Sequence, residues 1–304
     1  MFADTLKILK KAQKGKYAVG HFNINNMEIC QAVVNAANKT KSPIILSTSE
    51  GALKYAGMDY LFNIAQTAAS SSKIPIAFHL DHGKDFNTIK SCIKKGYSSV
   101  MFDGSKLSFE DNIRKTKRIV NLAHKKGVSV EAELGTIGGT EDFVTSKKIT
   151  YVDPKEVKEF VERTGCDILA IGIGTSHGAF KFKGKATLRF DLLKQIRSTV
   201  KTPLVLHGAS GIPRNIVTMA TKYGADLSGV MGIPDSQIKK AISLGITKIN
   251  TDTDLRIAFD AGIRKVLIKQ PKDFDPRHIV GSARDLMQKV AEHRMEVFGS
   301  TKKG

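Results

Sequence analysis

The sequence predicts an α/β chain folded as one (β/α)8 barrel with additional C-terminal helices, and three observations predict it. Eight apolar runs of strand length recur along the 304 residues, and amphipathic segments alternate with them. Polar residues collect at the C-terminal ends of the runs while the starts stay bland. In barrels of this kind the C-terminal ends of the strands carry the active site.

The runs are 17–23, 43–49, 74–82, 98–103, 128–135, 167–174, 203–210 and 247–252. They are almost continuously apolar, as strands buried on both faces of a parallel sheet must be. Between them lie segments such as MEICQAVVNAANK, FEDNIRKTKRIVNLAHKKG and PKEVKEFVERTG, several ending in Lys followed by Gly, which suits a helix C-terminus. An open doubly wound sheet would carry a Gly-rich turn after its first strand, whereas this chain reads His-Phe-Asn-Ile-Asn-Asn there. Residues 254–304 add helices after the eighth run, and one domain, 1–304, is expected.

Composition narrows the function. The three cysteines, Cys30, Cys92 and Cys166, form no CxxC pair and read as reduced thiols of a cytoplasmic protein. No apolar run approaches the roughly 18 residues of a membrane span, and the N-terminus lacks a signal-peptide core. The net charge of +19 comes from scattered lysines rather than one basic block with interleaved aromatics. It suits solvated helix faces and a field that attracts anionic substrates.

Three histidines end apolar runs and each precedes glycine: His82, His177 and His207. Neutral imidazole is a common ligand for divalent metals, and three protein ligands plus an open position is the pattern of catalytic zinc. These runs are the third, sixth and seventh, so the ligands converge only if the barrel closes. His79, three residues before His82, is expected to face the opposite way in a regular strand and to be structural. Asp81 beside His82 is the favoured acid/base, with orientation of a histidine as its other possible role. Asp103 and Glu133 close the fourth and fifth runs, where they either hold a second metal or cap the following helices.

The seventh run ends in His207-Gly208-Ala209-Ser210-Gly211, whose small residues can expose N–H groups to an oxyanion. The eighth ends in Asn250-Thr251-Asp252-Thr253-Asp254-Leu255-Arg256, and loops in these two places commonly bind phosphate. Lys181 adds a cation, and the glycine-rich loop 135–142 reads as a mobile lid carrying Glu141, a proton acceptor or a solvated carboxylate.

In these motifs, together with AVGHFNINN, STSEGA, SVMFDGS and the late DPRH, nearly the whole chain resembles the class II, metal-dependent ketose-bisphosphate aldolases acting on fructose or tagatose 1,6-bisphosphate. The resemblance implies a catalytic zinc on His82, His177 and His207, with Asp103 and Glu133 near an alternative metal position. It implies that Asp81 handles the hydroxyl proton and Glu141 the carbon-bound proton. Gly178, Lys181, Gly208, Ser210, Asn250, Asp252, Thr253 and Arg256 would bind dihydroxyacetone phosphate, and Ser49 would lie beside the aldehyde half. Arg277 would reach the far phosphate from a neighbouring subunit. A homodimer or homotetramer and a monovalent cation (Na+ or K+) are also implied. Fructose 1,6-bisphosphate is favoured over tagatose 1,6-bisphosphate as the commoner glycolytic substrate, and no dedicated nucleic acid and no membrane partner are expected.

A Schiff-base aldolase needs a buried lysine near a strand's C-terminal end, and Lys248 is expected at the start of the eighth strand on the wrong face. A metallohydrolase would carry His-x-His on the first strand, which is absent. A basic nucleic-acid-binding barrel is the distant alternative.

Overall fold

The computed structural model describes residues 1–136, 138–141, 144–146, 151–177 and 188–304, and for 138–141, 144–146 and 177 the backbone alone. Helix α1 (Thr5–Gly15), whose N-cap Asp4 accepts from the Lys7 N–H, leads into strand β1 (Val19–Asn23). Then follow α2 (Met27–Thr40), β2 (Ile44–Ser49), α3 (Glu50–Ala56), α4 (Met58–Ser71) and β3 (Ile76–Gly83). Next come α5 (Phe86–Lys95), β4 (Ser99–Phe102), α6 (Phe109–His124) and β5 (Ser129–Leu134). Short strands β6 (Gly138–Glu141) and β7 (Val144–Ser146) precede α7 (Pro154–Thr164), β8 (Ile168–Ile171) and β9 (Ser176–His177). The chain continues through α8 (Phe190–Thr199), β10 (Leu204–Leu206), α9 (Arg214–Lys222) and α10 (Asp235–Ser243). It closes with β11 (Ile246–Thr251), α11 (Thr253–Lys269) and α12 (Pro276–Val297).

Eight strands close a parallel barrel in the order β1-β11-β10-β8-β5-β4-β3-β2. Each expected apolar run supplies one of them, so the (β/α)8 fold with an added C-terminal helix is the observed one. The remaining strands form a separate sheet, β7-β6-β9, beyond the C-terminal ends of β5 and β8. Two expectations change here. Part of the 135–142 segment is strand β6 rather than loop, and His177 lies on β9, paired with Gly139, rather than at the end of a barrel strand.

Apolar packing occupies two places. One cluster fills the space between the barrel and the helices, including Phe78 and Leu80 of β3, Leu169 of β8 and Leu206 of β10. The other joins Ile8, Leu9 and Ala12 of α1 to Val19, Ile45, Ala77, Ile168, Ala170 and Val205, so α1 plugs the N-terminal end of the barrel. Inward positions recur with period 2 along each strand. They run Val19, His21, Asn23 on β1, Ile45, Ser47, Ser49 on β2, and Ala77, His79, Asp81 on β3, all buried. The lumen is therefore apolar at the bottom and polar above, and buried polar groups there must satisfy one another.

His79 belongs to this middle layer, which corrects the expectation that it faces away. It shares the lumen face with Asp81 two residues on, its Nδ1 is 2.8 Å from Ser99 Oγ, and its ring stands edge-on to His21, 5.5 Å away. Burial, reinforced by the positive charge of Lys248 and opposed by Glu131, lowers its pKa to about 3.

Leu9 is wholly buried in the plug, so Leu9→Ala should cost about 2–5 kcal/mol in urea unfolding, and a loss below about 1 kcal/mol would mean that the plug does not bear on stability. The unfolded chain takes up a proton at His79 below about pH 6.5 that the folded chain refuses until about pH 3, so acid removes stability across that window. His79→Gln should therefore lose less stability than the wild type between neutral pH and about pH 5. Identical pH dependence of the two proteins would contradict this origin.

Candidate active site

His82 adopts a left-handed backbone, φ +48°, and the β3–β4 register shifts between Leu80 and Gly83. A regular strand would send Asp81 and His82 to opposite faces. The left-handed residue breaks that alternation, and Asp81, His82 and His207 bring donor atoms within 4.8 Å of one another.

Carboxylates set the two imidazoles. His82 Nδ1 lies 3.1 Å from Asp103 Oδ2, and His207 Nε2 lies 2.8 Å from Glu131 Oε1. An ionised carboxylate only accepts, so each ring donates its N–H there and turns its other nitrogen's lone pair away. Those nitrogens, His82 Nε2 and His207 Nδ1, face each other at 3.0 Å. Two lone pairs cannot face each other unshared, so either a proton or a metal ion must lie between or beside them. Glu133 adds to the demand: its Oε2 is buried without a hydrogen-bond partner, 3.8 Å from His82 Nδ1 and 3.7 Å from His207 Nδ1.

The electrostatics agree. Burial opposes a charge on His82, yet Asp81, Asp103 and Glu133 outweigh it and lift the imidazole to about 10. Burial, then the negative charge of Asp103, pushes Glu133 well above the usual carboxylate range. Burial also works against ionisation of Asp103, but its hydrogen bond to His82 prevails and holds the carboxyl well below that range. Protons thus collect where negative charge and lone pairs converge, which is the chemistry of a divalent metal site. His82, Asp103 and Glu133 form a second group of potential ligands sharing His82. Neither acid caps a helix: Ser108 caps α6, while Asp103 Oδ1 accepts from Ser105 and Glu133 stays in the lumen. The side chain of His177 lies outside the described residues.

Asp81 is held by two amides: Asn23 Nδ2 donates to its Oδ2 at 3.0 Å and Asn250 Nδ2 to its Oδ1 at 3.1 Å. One small cavity is lined by Asn23, Asp81, Gly208, Ser210, Asn250, Asp252 and Thr253. Six of these are residues expected at the site, and Asn23 joins them. Gly208 has φ +57°, and a Cβ there would lie 2.6 Å from the Ser176 carbonyl oxygen, so the sharp exit from β10 needs glycine.

One expectation narrows. The N–H groups of Gly211 and Ile212 donate to Asp254 at 3.2 and 2.6 Å, so they hold the loop to α11 rather than standing open to an oxyanion. Arg256 pairs with Asp252 at 2.7 Å on the first turn of α11. Ser49 is in register with Asp81 and caps α3 by accepting from Ala52 N. Arg277 stands apart on α12, ion-paired with Asp275 and 85% exposed. Gly178 and Lys181 lie outside the described residues, as does the side chain of Glu141.

Lys248 corrects the reading that placed it on the wrong face. It sits mid-strand in β11, wholly buried, with Nζ 2.9 Å from Glu131 Oε2 across the lumen. Glu131 has no role legible in the sequence, because its partners Lys248 and His207 lie 117 and 76 residues away. The inward alternation Glu131, Glu133 was the available signal.

Comparison with known proteins follows the same line. The family model for class-II fructose-bisphosphate aldolase matches residues 3–303. A fructose-bisphosphate aldolase from Thermus caldophilus is 48% identical over 302 residues, 99% of each chain. One from Helicobacter pylori strain 26695 is 44% identical over 300 residues, 98% of each. Among solved structures, the YdjI aldolase of Escherichia coli K12 superposes with a TM-score of 0.80 at 35% identity, covering 100% of this chain and 99% of that one. With a closed parallel barrel, a cation-demanding histidine pair and a match over its whole length, the chain belongs to the class-II fructose-bisphosphate aldolase family, whose members are metal-dependent aldehyde-lyases.

Proposed function

We propose that residues 1–304 act as one catalytic domain that reversibly cleaves fructose 1,6-bisphosphate into dihydroxyacetone phosphate and glyceraldehyde 3-phosphate. The observation that carries this reading is the Asp81 carboxylate, held by two amides beside paired imidazole donors and opening on a polar cavity. His82 and His207, with His177, would hold a zinc ion, and Asp103 and Glu133 flank an alternative metal position. When bound, the metal supplies a Lewis acid that stabilises negative charge developing on the ketone oxygen.

The chain's own groups handle the protons and the phosphates. As the C3–C4 bond of the ketose breaks, its electron pair stays with the dihydroxyacetone half, and Asp81 takes the C4 hydroxyl proton. Glu141 returns a proton to the carbon left behind, and both transfers reverse in condensation. Gly208, Ser210, Asn250, Asp252 and Thr253, joined by Arg256, Gly178 and Lys181, would seat the phosphate and hydroxyls of that half. The N-terminus of α11 favours the anion. Ser49 would lie by the aldehyde half. Holding both ends keeps the reacting carbons aligned.

The exposed Arg277, remote from the cavity, supports a homo-oligomer in which it reaches a neighbouring copy's substrate. Three buried free cysteines support a reducing, cytoplasmic setting. Glycolytic use and a monovalent cation at the site complete the proposal. Among the described residues no helix is long and apolar enough to cross a membrane.

Cleavage of fructose 1,6-bisphosphate, followed by a coupled assay, should disappear after prolonged chelation and return with zinc. Activity that survives complete metal removal would refute the metal assignment. Asp81→Asn should lower kcat by about 10²–10⁴-fold while zinc content is retained. Wild-type turnover in that variant would remove Asp81 from the proton transfer.

A further inference from the structure

We propose that Lys248 is a positioning residue that sets the metal-binding imidazole of His207 and the carboxylate of Asp81 at the same time, through Glu131 on one side and Asn250 on the other. The proposal rests on the assignment of His207 as a metal ligand. Lys248 Nζ is 2.9 Å from Glu131 Oε2 and 3.2 Å from Oε1, and it donates to Asn250 Oδ1 at 2.8 Å. Lys248 and Glu131 are both wholly inaccessible to solvent, so water provides neither a counter-charge nor a replacement donor.

The argument is one of donors and acceptors. An ammonium has donors only. Asn250 must therefore turn its carbonyl oxygen to Lys248, which turns its NH2 to Asp81 Oδ1, 3.1 Å away. On the other side the positive charge compensates Glu131, leaving a carboxylate that can only accept. His207 must then give it the Nε2–H, at 2.8 Å, and present the Nδ1 lone pair to His82. Remove the ammonium and both constraints relax together: the Asn250 amide can flip, and Glu131 becomes a buried charge hydrogen-bonded to His207, with His79 Nε2 3.7 Å away. A carboxylate behind a ligating histidine is worth about 10–100-fold in metal affinity, which sets the scale.

The test is a zinc titration of the metal-stripped full chain against a chromophoric chelator. It compares wild type, Lys248→Met, Glu131→Gln, the double variant and His207→Ala, with the Tm of each and the kcat and KM of the zinc-loaded forms. Lys248→Met should weaken zinc binding by about 10–100-fold and lower kcat with KM nearly unchanged. The double variant should bind zinc as Glu131→Gln does, because Lys248 reaches His207 through Glu131. Wild-type zinc affinity in Lys248→Met, or losses that multiply in the double variant, would overturn the proposal. Should Lys248→Met fail to fold, the charge-neutral double variant is set against Glu131→Gln in kcat: loss of the hold on Asn250 should lower kcat further, and equal kcat would overturn the proposal. His207→Ala separates the levels: if it keeps zinc, the metal assignment itself fails. If it loses zinc while Lys248→Met does not, the role of Lys248 alone fails.

Discussion

His82 occupies β3 with a left-handed backbone, and that dihedral decides which side chains meet at the barrel mouth. A non-glycine residue at φ +48° is strained. The register shift into β4 and the hydrogen bond from His82 to Asp103 hold it there. Its result is that consecutive residues, Asp81 and His82, serve one site: a proton-transfer group and a metal donor side by side. With ordinary alternation the imidazole would point into the outer apolar shell, and the contact between His82 Nε2 and His207 Nδ1 would be lost.

The site also depends on how the barrel divides its lumen. Below, α1 and the first inward residues of the strands make a dry apolar plug. Above it, His21, His79, Glu131 and Lys248 are all buried, and the lysine's charge helps keep both histidines neutral. Burying a charge pair adds little stability compared with an apolar filling and is costly when one partner is lost. Its value here is orientation. The polar layer is the rigid underside of the catalytic groups, and it leaves stability to the plug and to the shell beneath the helices.

The barrel was legible because parallel strands buried on both faces write themselves as apolar runs, and the polar ends of those runs marked the mouth. His82, His207 and Asp81 could be read for the same reason. Other features were hidden because they belong to pairs remote in sequence. Nothing in the context of Lys248 announces Glu131, and the strand alternation used to set His79 aside fails locally because of the His82 dihedral. His177 and Glu141 fall on a small sheet of strands two to four residues long, too short for any periodicity to announce. Asn23 was visible as a strand-end amide, but its task, holding Asp81, emerges only when β1 and β3 are placed two strands apart in the closed barrel.

The most direct measurement is X-ray absorption at the zinc edge of the zinc-loaded protein. Imidazole-dominated coordination at about 2.0–2.1 Å, with the outer scattering of the rings reduced in His82→Ala and again in His207→Ala, is the expected result. Sulfur at about 2.3 Å, or a spectrum that neither substitution alters, would contradict a metal centre built on these two histidines.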